Sequence, residues 1–289
     1  MGRGMTQDRA RVSACLITYN EEKNIRRCLE RLDWADEIVV VDAFSQDATV
    51  EIAGQFTDRI FQSPWVGYVR QKNLALDQAS HEWAFGIDAD EVVSSELQAS
   101  ILDMLSRPQP GTAGYRVARR TFYLGRWIDH CGWYPEYRLR LFRKDEGRWT
   151  GRDLHERVGV RGAVRSLRGD LYHYPYESIA DHLRTIDRYA SISAWERFQR
   201  GTKFRWTALM LHPLARFLKM FLLKRGFLDG GVGLIVSALG GIYVFAKYVK
   251  LWELERVGAD TAQSEDPSRP PRGHGLDLAW RRSSGSGAG

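Results

Sequence analysis

The chain has 289 residues, 44% of them hydrophobic and 12% aromatic, only three cysteines and a formal net charge of +6. That composition excludes a collagenous, a disulfide-stapled or a wholly disordered chain and leaves room for one large α/β core or a core with an appendage. The charge is uneven: residues 1–110 carry 11 basic and 18 acidic groups (−7), residues 111–228 carry 24 and 11 (+13), and residues 229–289 carry seven of each, so the basic middle points to an anionic partner such as phosphate, nucleic acid or a membrane surface. Four short apolar runs, 12–18, 37–42, 58–61 and 83–88, are predicted strands, and the stretches between them, 22–32, 47–56 and 67–79, are predicted helices. Ile38-Val39-Val40-Val41 is apolar without alternation, as expected of a strand covered on both faces. A βαβαβαβ order implies a doubly wound, mostly parallel sheet, which binds ligands at the carboxyl ends of its strands.

Beyond Pro108-Gln109-Pro110-Gly111 the pattern changes. Segments 114–123 and 137–144 alternate apolar residues with arginine and read as half-exposed antiparallel strands. Residues 177–200 form a polar helix, 204–228 an apolar stretch studded with Arg and Lys, and seventeen uncharged residues, 230–246, separate Asp229 from Lys247. After Val257 the tail is Pro, Ser, Gly and charge, a composition that does not bury enough apolar surface to fold alone. The expected organisation is an extension over 1–11, halves over 12–110 and 111–176, a helical region over 177–257 and a disordered tail over 258–289. Cys15, Cys28 and Cys131 have no CxxC spacing and read as reduced thiols of a cytoplasmic protein.

Acidic residues appear where strands end. Asp42 follows the Val39-Val40-Val41 run, and Asp88-Ala89-Asp90-Glu91 follows the run that begins at Trp83. Alternating carboxylates there suit one hard cation, Mg²⁺ or Mn²⁺, shared with substrate phosphate oxygens. The structural alternative is an acidic turn capping a helix that begins near Ser95. Gly67, Arg70 and Asn73 recur every three residues, so a helix start there would bring Arg70, Lys72 and backbone N–H groups to a nucleotide or phosphate; the alternative is a solvated basic face. A third cluster, Trp149-Thr150-Gly151-Arg152-Asp153-Leu154-His155-Glu156, offers a carboxylate to deprotonate an attacking hydroxyl, and His173 a ring nitrogen for a metal. Each of these groups also suits a structural hydrogen bond.

Four motifs taken together, Ala14-Cys15-Leu16-Ile17-Thr18-Tyr19-Asn20-Glu21-Glu22, then Val39-Val40-Val41-Asp42-Ala43-Phe44-Ser45-Gln46-Asp47, then Gly67-Tyr68-Val69-Arg70-Gln71-Lys72-Asn73, then Ile87-Asp88-Ala89-Asp90-Glu91, resemble the family 2 glycosyltransferases. Asp153-Leu154-His155-Glu156, His173-Tyr174 and Lys224-Arg225-Gly226-Phe227-Leu228-Asp229-Gly230 resemble the branch that contains lipopolysaccharide core glycosyltransferases, and the likeness covers about residues 12–255. The resemblance implies a GT-A fold, a Rossmann-like mostly parallel sheet with helices on both faces, here followed by a C-terminal helical membrane-associating segment. It also implies inverting transfer of a sugar from a nucleotide-diphosphate donor, with UDP favoured, to a lipid-linked glycan. By similarity Thr18, Tyr19 and Glu21 border the base and ribose, Asp42 bonds the base, and Arg70 and Asn73 approach the nucleotide; Asp88 lies against ribose or sugar and Asp90 holds the divalent cation. Glu156 is the expected base, with Asp153 as competitor, because His155-Glu156 stands where many relatives carry an acidic pair.

The uncharged segment 230–246 would span about 26 Å as a helix, just short of a hydrocarbon core of ~30 Å. Trp206, Phe217 and Phe221 among Arg205, Arg216, Lys219 and Lys224 suit a helix lying in an anionic membrane surface, bent near Pro213. Attachment to one leaflet at the cytoplasmic face of the inner membrane is therefore expected, with a span and a soluble helical subdomain as the alternatives. A polyprenyl-phosphate sugar transferase of the same fold and a nucleic-acid-binding module are the rival readings; the arginines lie beside apolar segments and in no recognised RNA or DNA motif, so no nucleic acid is expected.

Overall fold

A computed structural model describes residues 9–151 and 156–257. The described residues form two units, the first from residues up to Val117 together with Leu139–Gly169, the second from Ala118–Arg138 and residues 170–257.

The first unit begins with β1 (Val12–Thr18), α1 (Ile25–Leu29), β2 (Glu37–Asp42), α2 (Thr49–Ala53), β3 (Ile60–Gln62), α3 (Tyr68–Gln78), β4 (Trp83–Gly86), β5 (Glu91–Val93) and α4 (Ser95–Ser106). β1 pairs in parallel with β2, Ser13 opposite Glu37 through Thr18 opposite Asp42, and on its other side with β4, Val12 opposite Trp83. The uninterrupted apolar runs are explained by burial: Val12, Ala14, Leu16, Val39 and Phe85 are fully enclosed. Helices α1 and α2 are shorter than the sequence suggests, five residues each. Helix α4 starts where an acidic turn would cap it, but the cap is Ser94, whose hydroxyl accepts the Leu97 N–H at 3.1 Å.

Six further strands follow, β6 (Thr112–Tyr123), β7 (Arg126–Ile128), β8 (Glu136–Arg143), β9 (Gly147–Thr150), β10 (Arg157–Val160) and β11 (Ala163–His173). The main sheet runs β3-β2-β1-β4-β8-β6-β11-β5, with β8 antiparallel to β4. The order reverses at β1, whose neighbours β2 and β4 are reached in opposite directions, and a parallel sheet opens its ligand crevice beside such a reversal. β9 and β10 form a separate antiparallel pair, with Trp149 opposite Val158. Trp149 packs with Cys15, Val41, Leu76, Ala84 and Phe142 in one core cluster.

In the second unit β7 pairs with the end of β6, Thr121 opposite Ile128. Three long helices follow: α5 (Ile179–Gln199), α6 (Trp206–Leu218) and α7 (Gly230–Val257). Both α5 and α6 pack on α7. Pro213 sits inside α6, which stays helical through it and continues as a π-helical turn over Lys219–Leu223. Gly226–Arg256 is the one helical stretch among the described residues long and apolar enough to cross a membrane, with mean hydropathy 1.7. All three cysteines are buried free thiols.

Candidate functional site

Thr18 and Asp42 end neighbouring parallel strands, so their side chains meet: the Thr18 hydroxyl donates to Asp42 Oδ1 at 3.0 Å. Asp42 is wholly buried and also accepts the Ser45 N–H at 2.8 Å, which folds the loop after β2 back over the strand end. Asn20 and Phe44 take left-handed backbone in these two loops, with φ of 55° and 60°. Tyr19 is half-buried beside them. Glu21 donates its backbone N–H to Thr49 Oγ1 at 2.7 Å and accepts Asn24 Nδ2 at 2.9 Å. Burial pushes the Glu21 carboxyl up to about 8, and Asp90, Asp47 and Asp88 reinforce the rise against that hydrogen bond.

The turn after β4 carries the other carboxylates. Asp88 Oδ1 lies 2.8 Å from Lys72 Nζ and Oδ2 lies 2.7 Å from Arg140. Burial alone would raise its pKa, but Arg140 and Lys72 hold it well below the usual carboxylate range. Glu91, fully buried, closes the turn by accepting the Asp88 N–H at 3.0 Å and pairs with Arg140 at 2.5 Å. Asp90 is half-buried in the same turn and acts on Glu21 through its charge.

Helix α3 splits the motif that begins at Gly67. Arg70 points to solvent, whereas Lys72 is buried and Asn73 faces β9. Asn73 uses both ends of its amide on the Trp149 backbone, donating to the carbonyl at 2.9 Å and accepting the N–H at 3.1 Å. Lys72 Nζ stands 4.5 Å from the Trp149 ring centroid and 3.2 Å from Glu156 Oε1. A single buried ammonium thus joins Asp88 to Glu156. Gly86 is needed for this packing, since a Cβ there would fall 2.7 Å from Trp149 Cζ2.

The residues brought together in the first unit are Thr18 with Asp42, and Asp88 with Lys72 and Glu156; Glu21 and Asp90 interact through their charges. His173 belongs to the second unit, at the end of β11, its Nδ1 3.4 Å from Thr121 Oγ1. Asp153 and His155 lie outside the described residues. No three His, Cys, Asp or Glu side chains are grouped to hold a metal by themselves among the described residues. Sequence reasoning passed over Arg140 and the pairing role of Glu91. The signal available was slight: Arg140 is one of several arginines in an alternating strand, and only its 4% exposure sets it apart.

Residues 13–167 match the family model described as Glycosyl transferase family 2. The chain is 30% identical over 260 residues to the lipopolysaccharide core biosynthesis glycosyltransferase LpsC of Rhizobium meliloti (strain 1021), covering 86% of this chain and 94% of that protein. It is likewise 30% identical over 258 residues to the uncharacterized glycosyltransferase RT0209 of Rickettsia typhi, covering 86% of this chain and 87% of that one. Among solved structures, the mannosyltransferase PcManGT of Pyrobaculum calidifontis, in complex with GDP-Man and Mn²⁺, superposes with a TM-score of 0.50 at 15% identity, over 84% of this chain and 87% of that one. With the switch-point sheet and its carboxylate-bearing strand ends, these likenesses establish that the chain belongs to glycosyltransferase family 2 and has the GT-A-like fold.

Proposed function

We propose that this glycosyltransferase transfers a sugar, with inversion, from a nucleotide-diphosphate donor, UDP favoured, to a hydroxyl of a lipid-linked saccharide such as lipopolysaccharide core. The observation that carries the reading is the Lys72 bridge, which puts Glu156 next to Asp88 at the carboxyl ends of β1 and β4. Thr18, Tyr19, Glu21 and Asp42 would border the base and ribose, Arg70 and Asn73 the nucleotide, and Asp88 the ribose or sugar. Asn73, already committed to Trp149, would act through its position, whereas Arg70 is exposed and available to an anion. Glu156 would remove the proton from the acceptor hydroxyl, with Asp153 as its competitor. The name of LpsC supports an envelope-glycan acceptor.

A divalent cation, Mg²⁺ or Mn²⁺, fits the donor side. The Asp90 carboxylate stands close enough to Glu21 for its charge to reinforce the rise that burial gives the Glu21 carboxyl, so a cation held by Asp90 and the donor's phosphates would offset negative charge gathered there. Bound there, the ion would offset the charge of the departing diphosphate. His173, the other residue expected to ligate it, belongs to the second unit, where its Nδ1 lies 3.4 Å from Thr121 Oγ1.

Membrane attachment is supported by the exposed face of α6. Trp206, Met210 and Leu214 follow one another at four-residue spacing with Leu211 and Leu218 alongside, all exposed, and Arg205, Arg216 and Lys219 are exposed on the same segment. Helix α7 is packed by α5 and α6, and α5 is too polar to enter a bilayer, which favours a monotopic mode at the cytoplasmic face of the inner membrane over a span.

The test is a donor screen that follows nucleotide release with Mg²⁺ or Mn²⁺, then transfer to intact and delipidated core glycans. Asp90→Ala is expected to lose nearly all turnover while keeping its melting temperature. Glu156→Gln should bind donor but not turn over. Undiminished transfer by Glu156→Gln, with loss in Asp153→Asn, would move the base to Asp153.

A further inference from the structure

The motif Lys224-Arg225-Gly226-Phe227-Leu228-Asp229-Gly230 takes no part in the donor-side constellation, yet it builds a second polar centre inside the second unit. The Asp229 side chain is 2% exposed. Its carboxylate accepts the backbone N–H of His130 at 2.9 Å and of Asp129 at 3.4 Å, and the His130 ring nitrogen Nδ1 lies 2.9 Å away. A carboxylate only accepts, so Nδ1 carries the hydrogen and Nε2 is left for a hydrogen bond to another partner. The His130 side chain is 32% exposed.

The backbone is shaped to hold this pair. Arg225 and Cys131 are left-handed, with φ of 53° and 59°, and the Cys131 N–H donates to the Lys224 carbonyl at 3.0 Å. A Cβ on Gly226 would fall 2.7 Å from Cys131 Sγ, and one on Gly233 would fall 1.8 Å from the Gly226 carbonyl oxygen. Only glycine lets the turn before α7 close against the His130 loop. Arg126 Nη1 donates to the Asp229 carbonyl at 3.0 Å and completes the clamp.

The same corner is amphiphilic on its outer side. Phe227 and Leu228 are 49% and 53% exposed immediately before Asp229, and Lys224 and Arg225 are exposed on the other side of the buried Gly226. Apolar side chains that enter the acyl boundary, cations at phosphate depth and a hydrogen-bonding ring nitrogen beside them match the layers of a glycolipid at a membrane surface. We propose that His130, oriented by Asp229, binds a hydroxyl of the saccharide headgroup of a bilayer-embedded glycolipid, with Phe227 and Leu228 in the lipid and Lys224 and Arg225 at its phosphates. The inference rests on the reading that the acceptor is lipid-linked.

The full chain is tested by co-sedimentation with phosphatidylethanolamine vesicles containing either phosphatidylglycerol or rough-type lipopolysaccharide at matched charge. The wild type should bind the lipopolysaccharide vesicles at least about tenfold more tightly, roughly 1.4 kcal/mol. His130→Asn keeps a donor in the place of Nδ1 for Asp229 but removes Nε2. It should hold its melting temperature, bind the phosphatidylglycerol vesicles as the wild type does, and lose the tenfold preference. Joint Phe227→Ser and Leu228→Ser substitution should weaken binding to both vesicles. A wild type with no preference overturns the lipid-linked acceptor and this inference with it. A wild-type preference that His130→Asn fully retains overturns the inference alone and leaves the acceptor reading standing.

Discussion

Replacing Lys72 by methionine removes the ammonium that joins Asp88 to Glu156 while keeping most of the side-chain volume. At about 3 Å and an effective dielectric constant near 20, each of its two ion pairs has a gross Coulomb energy of roughly 5 kcal/mol, and removing the ammonium from water costs several kcal/mol against that. Asp88 keeps Arg140 at 2.7 Å when Lys72 is lost, whereas Glu156, 23% exposed, loses the Lys72 pair and regains only part of its hydration. The contact of Nζ with the Trp149 ring at 4.5 Å is lost as well. The net cost is about 1–2 kcal/mol, which lowers the melting temperature by about 2–8 °C in a chain of this size. The assay is thermal and urea denaturation of Lys72→Met, Glu156→Gln and the double variant, closed into a cycle. The ion pair requires a coupling of about 1 kcal/mol between the two positions, whereas additivity within ~0.3–0.5 kcal/mol would refute it.

Gly86→Ala forces a methyl group against the Trp149 indole at 2.7 Å, so a loss of about 1–3 kcal/mol is expected in urea denaturation. Glu21 has a folded pKa of about 8, above its unfolded value of 4.5, so its stabilisation is fully present below pH 4.5 and is lost as the pH rises through 8. Glu21→Gln should therefore flatten the stability profile between pH 5 and 8 by several kcal/mol at about 1.36 kcal/mol per unit, and an unchanged slope would count against the buried carboxyl. His182 behaves oppositely: burial lowers its folded pKa to about 4, beside Tyr123, whose hydroxyl oxygen lies 2.9 Å from Nδ1. Its contribution is present above pH 6.5 and lost as the pH falls toward 4, so His182→Gln should gain relative stability on acidification, read by tryptophan fluorescence in a urea series.

Much of the donor-side scaffold is legible in the sequence because the physics there is local. Strand β2 needs only the apolar run before Asp42, and Ser94 caps α4 within three residues of its target. Other local expectations fail for equally physical reasons. The short α1 and α2 are held by packing rather than by their own turns, so their ends cannot be read from composition. Pro213 does not end α6, which stays helical through it and runs on into the π-helical turn at Lys219.

By itself the sequence determined the alternation of strands and helices that makes an α/β sheet, the placing of carboxylates at strand ends, the change of pattern after residue 110 and the apolar, basic character of 204–228. The tertiary structure decided which charges meet. Lys72 finds Glu156 across 84 positions, Arg140 finds Asp88 across 52, and Asp229 finds the His130 ring across 99. No periodicity records such pairs, since each is fixed by sheet register or by glycines that permit close backbone approach. Burial then sets the energies: the same Lys and Glu on an open surface would be worth little, and here they tie the two sides of a candidate reaction centre together.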